Sequence, residues 1–223
     1  MLRHLAAECF GTFTLVFTGT GAIIINDLSG GAVTHVGIAL TFGLVVLAMI
    51  YSLGHVSGCH LNPAVTLGFY AAHRLDRGWV PAYIAAQVTG AMLASLLLRI
   101  MFPSHETLGA TIPAGAALQS FVLEFLLTLM LMFVILSVSH GSKETGILAG
   151  VAVGAVIALE ALFAGPICGA SMNPARSLAP ALLTMRLSEV WIYLTAPVLG
   201  ALAGVSLCRC IQNPGCCCQG TCQ

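Results

Sequence analysis

The sequence predicts an all-α membrane protein: a bundle of six transmembrane helices with two re-entrant half-helices, arranged as an inverted repeat. Three observations carry that expectation. Of 223 residues, 58% are hydrophobic and only 7% are charged, with a mean hydropathy of +0.99, whereas a soluble domain needs about 25% charged residues to keep its surface wet. Apolar windows of about 19 residues, the length that reveals a membrane span, occur six times along the chain. An eleven-residue stretch beginning at Gly54 also recurs, without gaps, at an offset of 111. The eight basic and eight acidic residues cancel and form no basic patch, which excludes nucleic acid as a partner. The lipid bilayer is the partner that this composition demands.

The crossings are expected at 5–25, 36–53, 80–101, 120–139, 146–164 and 190–208, each near the roughly 20 apolar residues that a bilayer core requires. The Met1-Leu2-Arg3-His4 start resembles a short leader, but the first apolar run lacks a small-x-small cleavage pattern and five more runs follow, so it reads as a span. Two further stretches, 55–72 and 166–183, are moderately apolar, interrupted by Gly and Pro, and too short to cross. They read as re-entrant segments, and irregular backbone at membrane depth is tolerated only where it is buried in protein or lines a wet cavity. Arg3, Arg74, Arg77, Lys143 and Arg209 fall on one face and Arg99 and Arg186 on the other, with Arg176 set apart in the pore. The excess of positive charge places both termini in the cytoplasm, and the chain is expected in the plasma (inner) membrane. The expected organisation is one channel domain, 1–210, with repeats at about 5–102 and 118–210, followed by a Cys-rich tail, 211–223.

The repeated stretch runs from Gly54 to Ala64 and again from Gly165 to Ala175, each ending in Asn-Pro-Ala: Asn62, Pro63 and Ala64, then Asn173, Pro174 and Ala175. Upstream, Glu8 with Thr12 matches Glu124 with Thr128; downstream, Gly90 matches Gly200. Each half contains three crossings. Because three is odd, the second half enters the membrane from the opposite face, and the functional site falls near the midplane.

Asn is a strong helix N-cap, and Pro is favoured at the first helical position. Each Asn-Pro-Ala therefore starts a half-helix, 62–72 and 173–183, about 15 Å long at 1.5 Å per residue. Entering from opposite faces, the two meet end to end, each N-terminus carrying about half a positive charge. With two Asn amides as donors, such a junction repels cations and hydronium and accepts a neutral oxygen. One Asn-Pro-Ala is an ordinary helix start; two in register within a six-span repeat are not.

The paired motifs, the second extended as Asn173-Pro174-Ala175-Arg176-Ser177, together with the two Glu-x-x-x-Thr pairs, resemble the aquaporin or major intrinsic protein family over about residues 5–208. The resemblance implies a right-handed six-helix bundle, a homotetramer with one pore per subunit, and passive flow of small neutral permeants. It also implies a constriction outward of the Asn pair, carried over to Phe42, Ala161, Ala170 and Arg176. Strictly water-selective relatives typically have His where this chain has Ala161, so the ring is expected to be wider and apolar on one side, with a guanidinium on the other. The Gly165–Ser177 spacing and Tyr193-Leu194 look most like nodulin-like intrinsic proteins, with aquaglyceroporins next; Ser177 stands where glycerol facilitators typically have Asp. That subfamily likeness implies glycerol, urea and boric, silicic or arsenous acid as permeants besides water.

Carboxylates within spans are costly and functional by default. Glu8 and Glu124, at matching points of the repeat, are expected to accept N–H groups of the re-entrant loops, which have no ladder partner. Glu160 has no counterpart and precedes Ala161, leaving a scaffold role or a place on the pore wall. His60 either lines the inner vestibule or packs structurally. His55, Cys59 and His60 form a metal-ligating set by residue type, but the loop must also present carbonyls to the pore, and neither a metal nor a cofactor is expected. Cys59 and Cys168, one on each loop, are expected to make the channel sensitive to mercurials. Of nine cysteines, six lie in the last sixteen residues. Cys216, Cys217, Cys218 and Cys222 could bind a soft metal or trivalent arsenic as thiolates, be acylated, or have no role.

Two other classes compete. An alternating-access transporter also uses inverted repeats and broken helices, but needs an ion-coupling site or rocking hinge, for which only Glu160 is unassigned. An enzyme needs a nucleophile with its base or paired carboxylates, and Glu8 and Glu124 belong to separate loops. A channel is the reading that uses every motif; a water-selective channel is the nearest alternative.

Overall fold

The computed structural model describes residues 1–139 and 148–212. Lys143, the expected start of the fifth crossing at Gly146, and the tail cysteines Cys216, Cys217, Cys218 and Cys222 lie outside the described residues. Six helices are long and apolar enough to cross a membrane: α1 (Leu2–Leu28), α2 (Thr34–Ser57), α4 (Val80–Met101, extended at its start by a 3₁₀ turn Arg77–Trp79), α5 (Ala117–Val138), α6 (Ala149–Cys168) and α8 (Val190–Ile211). Two short helices, α3 (Pro63–Ala71) and α7 (Pro174–Thr184), complete the described set. Large apolar side chains such as Leu44, Leu93, Leu126, Leu159 and Leu199 face outward, while Glu8, Gln87, Glu124 and Glu160 are fully buried. That reverses the distribution of a water-soluble bundle, as a hydrocarbon solvent requires.

Helices α1 and α4 pack against each other, as do α5 and α8, and α2 and α6. The first two pairs approach through small residues, the usual basis of helix association in lipid. A Cβ on Gly90 would strike the Cys9 carbonyl, and one on Gly200 would strike the Phe125 carbonyl. The third pair meets where Gly43 and Gly154 face each other's carbonyls, at 2.5 and 2.7 Å from an added Cβ.

Helices α2 and α6 run four residues further than the expected crossings, to Ser57 and Cys168. Each ends on a left-handed glycine, Gly58 (φ 82°) and Gly169 (φ 84°), whose N–H closes the last turn on Gly54 O and Gly165 O. The second re-entrant segment therefore does not begin at Pro166, which sits inside α6. Proline removes one helical N–H and frees the carbonyl four residues back, here that of Leu162. His35 Nε2 takes this carbonyl at 2.7 Å, so the helix passes through the proline intact.

Candidate functional site

Between the αL glycines and the half-helices, both loops alternate left-handed residues: Cys59 (φ 52°) and Leu61 (φ 52°) in the first, Ala170 (φ 41°) and Met172 (φ 54°) in the second. Such conformations cost roughly 1–2 kcal/mol per non-glycine residue, and this backbone forms no ladder. Buried carboxylates hold it instead. Glu8 Oε1 accepts from Ser57 Oγ (2.7 Å) and His60 N (2.9 Å), and its Oε2 accepts from Leu61 N (2.8 Å) and Gln87 Nε2 (2.8 Å). Glu124 accepts Ser171 N and Met172 N, one on each oxygen, both at 2.8 Å. Tyr83 and Tyr193 donate to the last helical carbonyls before the loops, Ser57 O at 2.9 Å and Cys168 O at 2.7 Å. Sequence reasoning missed the roles of Gln87 and both tyrosines, although the Tyr pair was visible at an offset of 110.

Each loop delivers its chain into a half-helix capped by Asn. Asn62 Oδ1 accepts Ala64 N (2.8 Å), and Asn173 Oδ1 accepts Ala175 N (3.0 Å) and Arg176 N (3.3 Å). With the oxygens held, the amide nitrogens cross over: Asn62 Nδ2 donates to Met172 O (2.7 Å) and Asn173 Nδ2 to Leu61 O (2.8 Å). The half-helices thus meet tip to tip. An amide has two hydrogens, so one N–H of each Asn remains uncommitted, and both residues line a narrow central cavity of about 120 Å³.

That cavity shares Phe42, Ala170 and Arg176 with a vestibule of about 430 Å³, which Ala161 also lines. It shares Gly58, His60 and Phe69 with a wider vestibule of about 1210 Å³ at the opposite end. Three cavities therefore lie in series along the bundle. Arg176 is buried, its Nη1 donates to Gly109 O (2.9 Å), and its Cζ stands 5.2 Å from the centre of the Phe42 ring. Behind it, Thr111 Oγ1 donates to Ser177 Oγ (2.8 Å), and the Ser177 and Ser171 hydroxyls are hydrogen bonded to each other. This chain ties the 102–116 connection to α7 and was not anticipated, because no local pattern links Thr111 with Ser177.

The Major intrinsic protein family matches residues 1–207. The chain belongs to that family. It is 50% identical to Aquaporin NIP1-1 of Oryza sativa subsp. japonica over 204 residues, which cover 91% of this chain and 72% of the relative. It is 45% identical to Nodulin-26 of Glycine max, over 91% of this chain and 75% of the relative. The X-ray structure of the aquaglyceroporin from Plasmodium falciparum superimposes with a TM-score of 0.87 at 25% identity, over 96% of this chain and 98% of that one. The protein is a multi-pass membrane channel for water and small uncharged solutes, not an enzyme.

Within this major intrinsic protein, the remaining candidates separate. His60 both lines and packs: it borders the central cavity and the wide vestibule, stacks on Phe69 with ring centres 4.4 Å apart, and engages Thr66 Oγ1 through Nδ1 at 3.1 Å. His55 lines only the wide vestibule, and among the described residues no three His, Cys, Asp or Glu side chains gather as metal ligands. Cys59 lines the central cavity. Cys168 lines none of the three: it ends α6, fully buried, with its Sγ bonded to Ala164 O and Ala170 N. Its position corresponds to Ser57 at an offset of 111, behind the loop rather than on it. Glu160 lines none of the three cavities either, is fully buried, and among the described residues neither of its carboxyl oxygens has a hydrogen-bond partner. One helical step separates it from Ala161, enough to turn it off the pore wall.

Proposed function

We propose that this channel passes glycerol, urea and neutral metalloid acids such as boric, silicic or arsenous acid together with water, in single file and down their gradients. Asn62 and Asn173 orient the permeant at the centre, and Phe42, Ala161, Ala170 and Arg176 select at the narrow end. One observation carries this reading. The vestibule that holds Arg176 and Phe42 has methyl groups, Ala161 and Ala170, for the rest of its ring. Arg176 presents N–H donors to hydroxyl oxygens, while the phenyl ring and the methyls face a carbon skeleton and leave room beside it. Pore diameter, lining donors and an Arg that opposes cations are the general terms of aquaporin-type selectivity. The half-helix tips add positive potential at the centre, which excludes protons and ions.

The working unit is a homotetramer in the plasma membrane with both termini cytoplasmic, in keeping with the family and with Arg3, Arg74, Arg77 and Arg209 on one face. Stopped-flow light scattering on proteoliposomes tests the solute reading. Glycerol and boric acid permeabilities well above those of empty liposomes are expected; water flux without either solute would sink it.

A further inference from the structure

A neutral hydroxylated solute is both donor and acceptor at every hydroxyl, whereas Arg176 is a donor only. Its vestibule must therefore contain an acceptor if both halves of each hydroxyl are to be satisfied on dehydration. Gly109 O already accepts from Arg176 and Asn26 Oδ1 from Thr34 N at 2.8 Å, which leaves each oxygen a single lone pair. Thr111, also on the wall, gives its hydroxyl hydrogen to Ser177 and so offers a permeant lone pairs only.

His35 lines the same vestibule. Its Nε2 lies 2.7 Å from Leu162 O, the carbonyl freed by Pro166. A carbonyl only accepts, so Nε2 carries the hydrogen and the neutral ring keeps a lone pair on Nδ1. No described residue engages that nitrogen. The ring is held closely: a Cβ on Gly165 would come within 3.0 Å of its Cε1. Proline, glycine and the histidine thus form one device that presents an oriented imidazole acceptor in the cavity of the guanidinium donor. The tie also links α2, which carries Phe42, to α6, which carries Ala161.

We propose that His35 is a specificity-determining residue of this channel: its Nδ1 receives a hydroxyl proton of a small neutral polyhydroxy solute in the Arg176-side vestibule while Arg176 donates to the solute's oxygens. The inference rests on the solute reading above and adds a residue outside the four-membered ring. Water, with a single oxygen and smaller reach, depends less on an acceptor placed there.

The full chain in proteoliposomes, with glycerol, boric acid and water permeabilities read on the same preparations, tests this through three variants. His35→Gln keeps an N–H for Leu162 and an acceptor, and should hold the solute-to-water ratio within about two-fold of the parent. His35→Lys keeps a donor for Leu162 but has no acceptor, and His35→Leu has neither. Both should lower that ratio about three- to ten-fold, the range that one lost hydrogen bond produces. An unchanged ratio in the Lys variant, or an equal fall in Gln, Lys and Leu, overturns the acceptor role and leaves His35 as a tie between helices. A parent channel that carries water but neither solute would instead defeat the underlying solute reading.

Discussion

The two re-entrant loops are copies of one backbone with different walls. Both leave a long helix through an αL glycine, alternate left-handed residues, hang their N–H groups on a buried glutamate, and end on an Asn that donates across to the other loop. They differ in what they present to the pore and in how heavily they are braced. At an offset of 111, Val65 corresponds to Arg176 and Cys59 to Ala170, all four lining the central cavity. The first glutamate takes four donors, two of them side chains, whereas the second takes two backbone N–H groups with the Cys168 thiol beside it, its loop being braced further by the Ser171–Ser177–Thr111 hydroxyls. The backbone requirement is set by unsatisfied peptide groups and is the same in both halves. Selectivity needs asymmetry, and the side chains supply it.

The largest effect expected from breaking this correspondence is on folding. Glu8→Leu should cost on the order of 5 kcal/mol and Glu124→Leu on the order of 3 kcal/mol, since each buried donor left unpaired costs about 1–3 kcal/mol. Thermal unfolding in detergent would read the ranking, and Glu124 as the costlier site would undo the comparison. Next comes Arg176→Val, which gives the second loop the residue of the first. Proton flux, followed with a pH-sensitive dye in liposomes, should rise about ten-fold or more while water flux persists, because each 1.4 kcal/mol of lost barrier is about ten-fold in rate. No gain in proton flux would leave the exclusion to the half-helix tips alone.

Ala161→His narrows the ring and adds a donor. It should cut glycerol flux about ten-fold relative to water, in line with the 1–3 kcal/mol that a pocket can exert on a small steric difference; a constant ratio would remove Ala161 from the ring. Glu160→Met installs the residue found at the corresponding position of the first half, Met49. Because neither oxygen of Glu160 is bonded among the described residues, the exchange should stabilise the protein by about 1–3 kcal/mol, visible as a higher unfolding temperature. A lower one would reveal a partner for that carboxyl. The mildest change is Cys59→Ser, which should leave permeation intact yet abolish mercurial block, whereas Cys168→Ser should leave the block in place.

Much of this was legible because the signals were local or periodic. Apolar runs of spanning length, Asn and Pro at helix starts, and a gapless repeat locate eight helices within a few residues. Even so, the continuation of α6 through Pro166 was not legible, since the donor that replaces the missing N–H comes from His35, 127 positions before the Leu162 carbonyl it serves. The site divides in the same way. Asn62, Asn173, Glu8 and Glu124 stand in a pattern that repeats along the chain. Gln87, Tyr83, Gly109 and Thr111 act on loops far from them in sequence, and only the tyrosines left a trace in the repeat.

What the chain alone determined is the architecture, because membrane spans, helix caps and duplication are each written in contiguous residues and need no knowledge of neighbours. The tertiary structure decided which side chains share a cavity. It put Cys59 on the wall and Cys168 behind it, and turned Glu160 away while Ala161 stayed. It also stood His35 in the same vestibule as Arg176. One residue along a helix rotates a side chain by about 100°, and whether that rotation ends in pore, protein or lipid is set by helices that the intervening sequence does not describe.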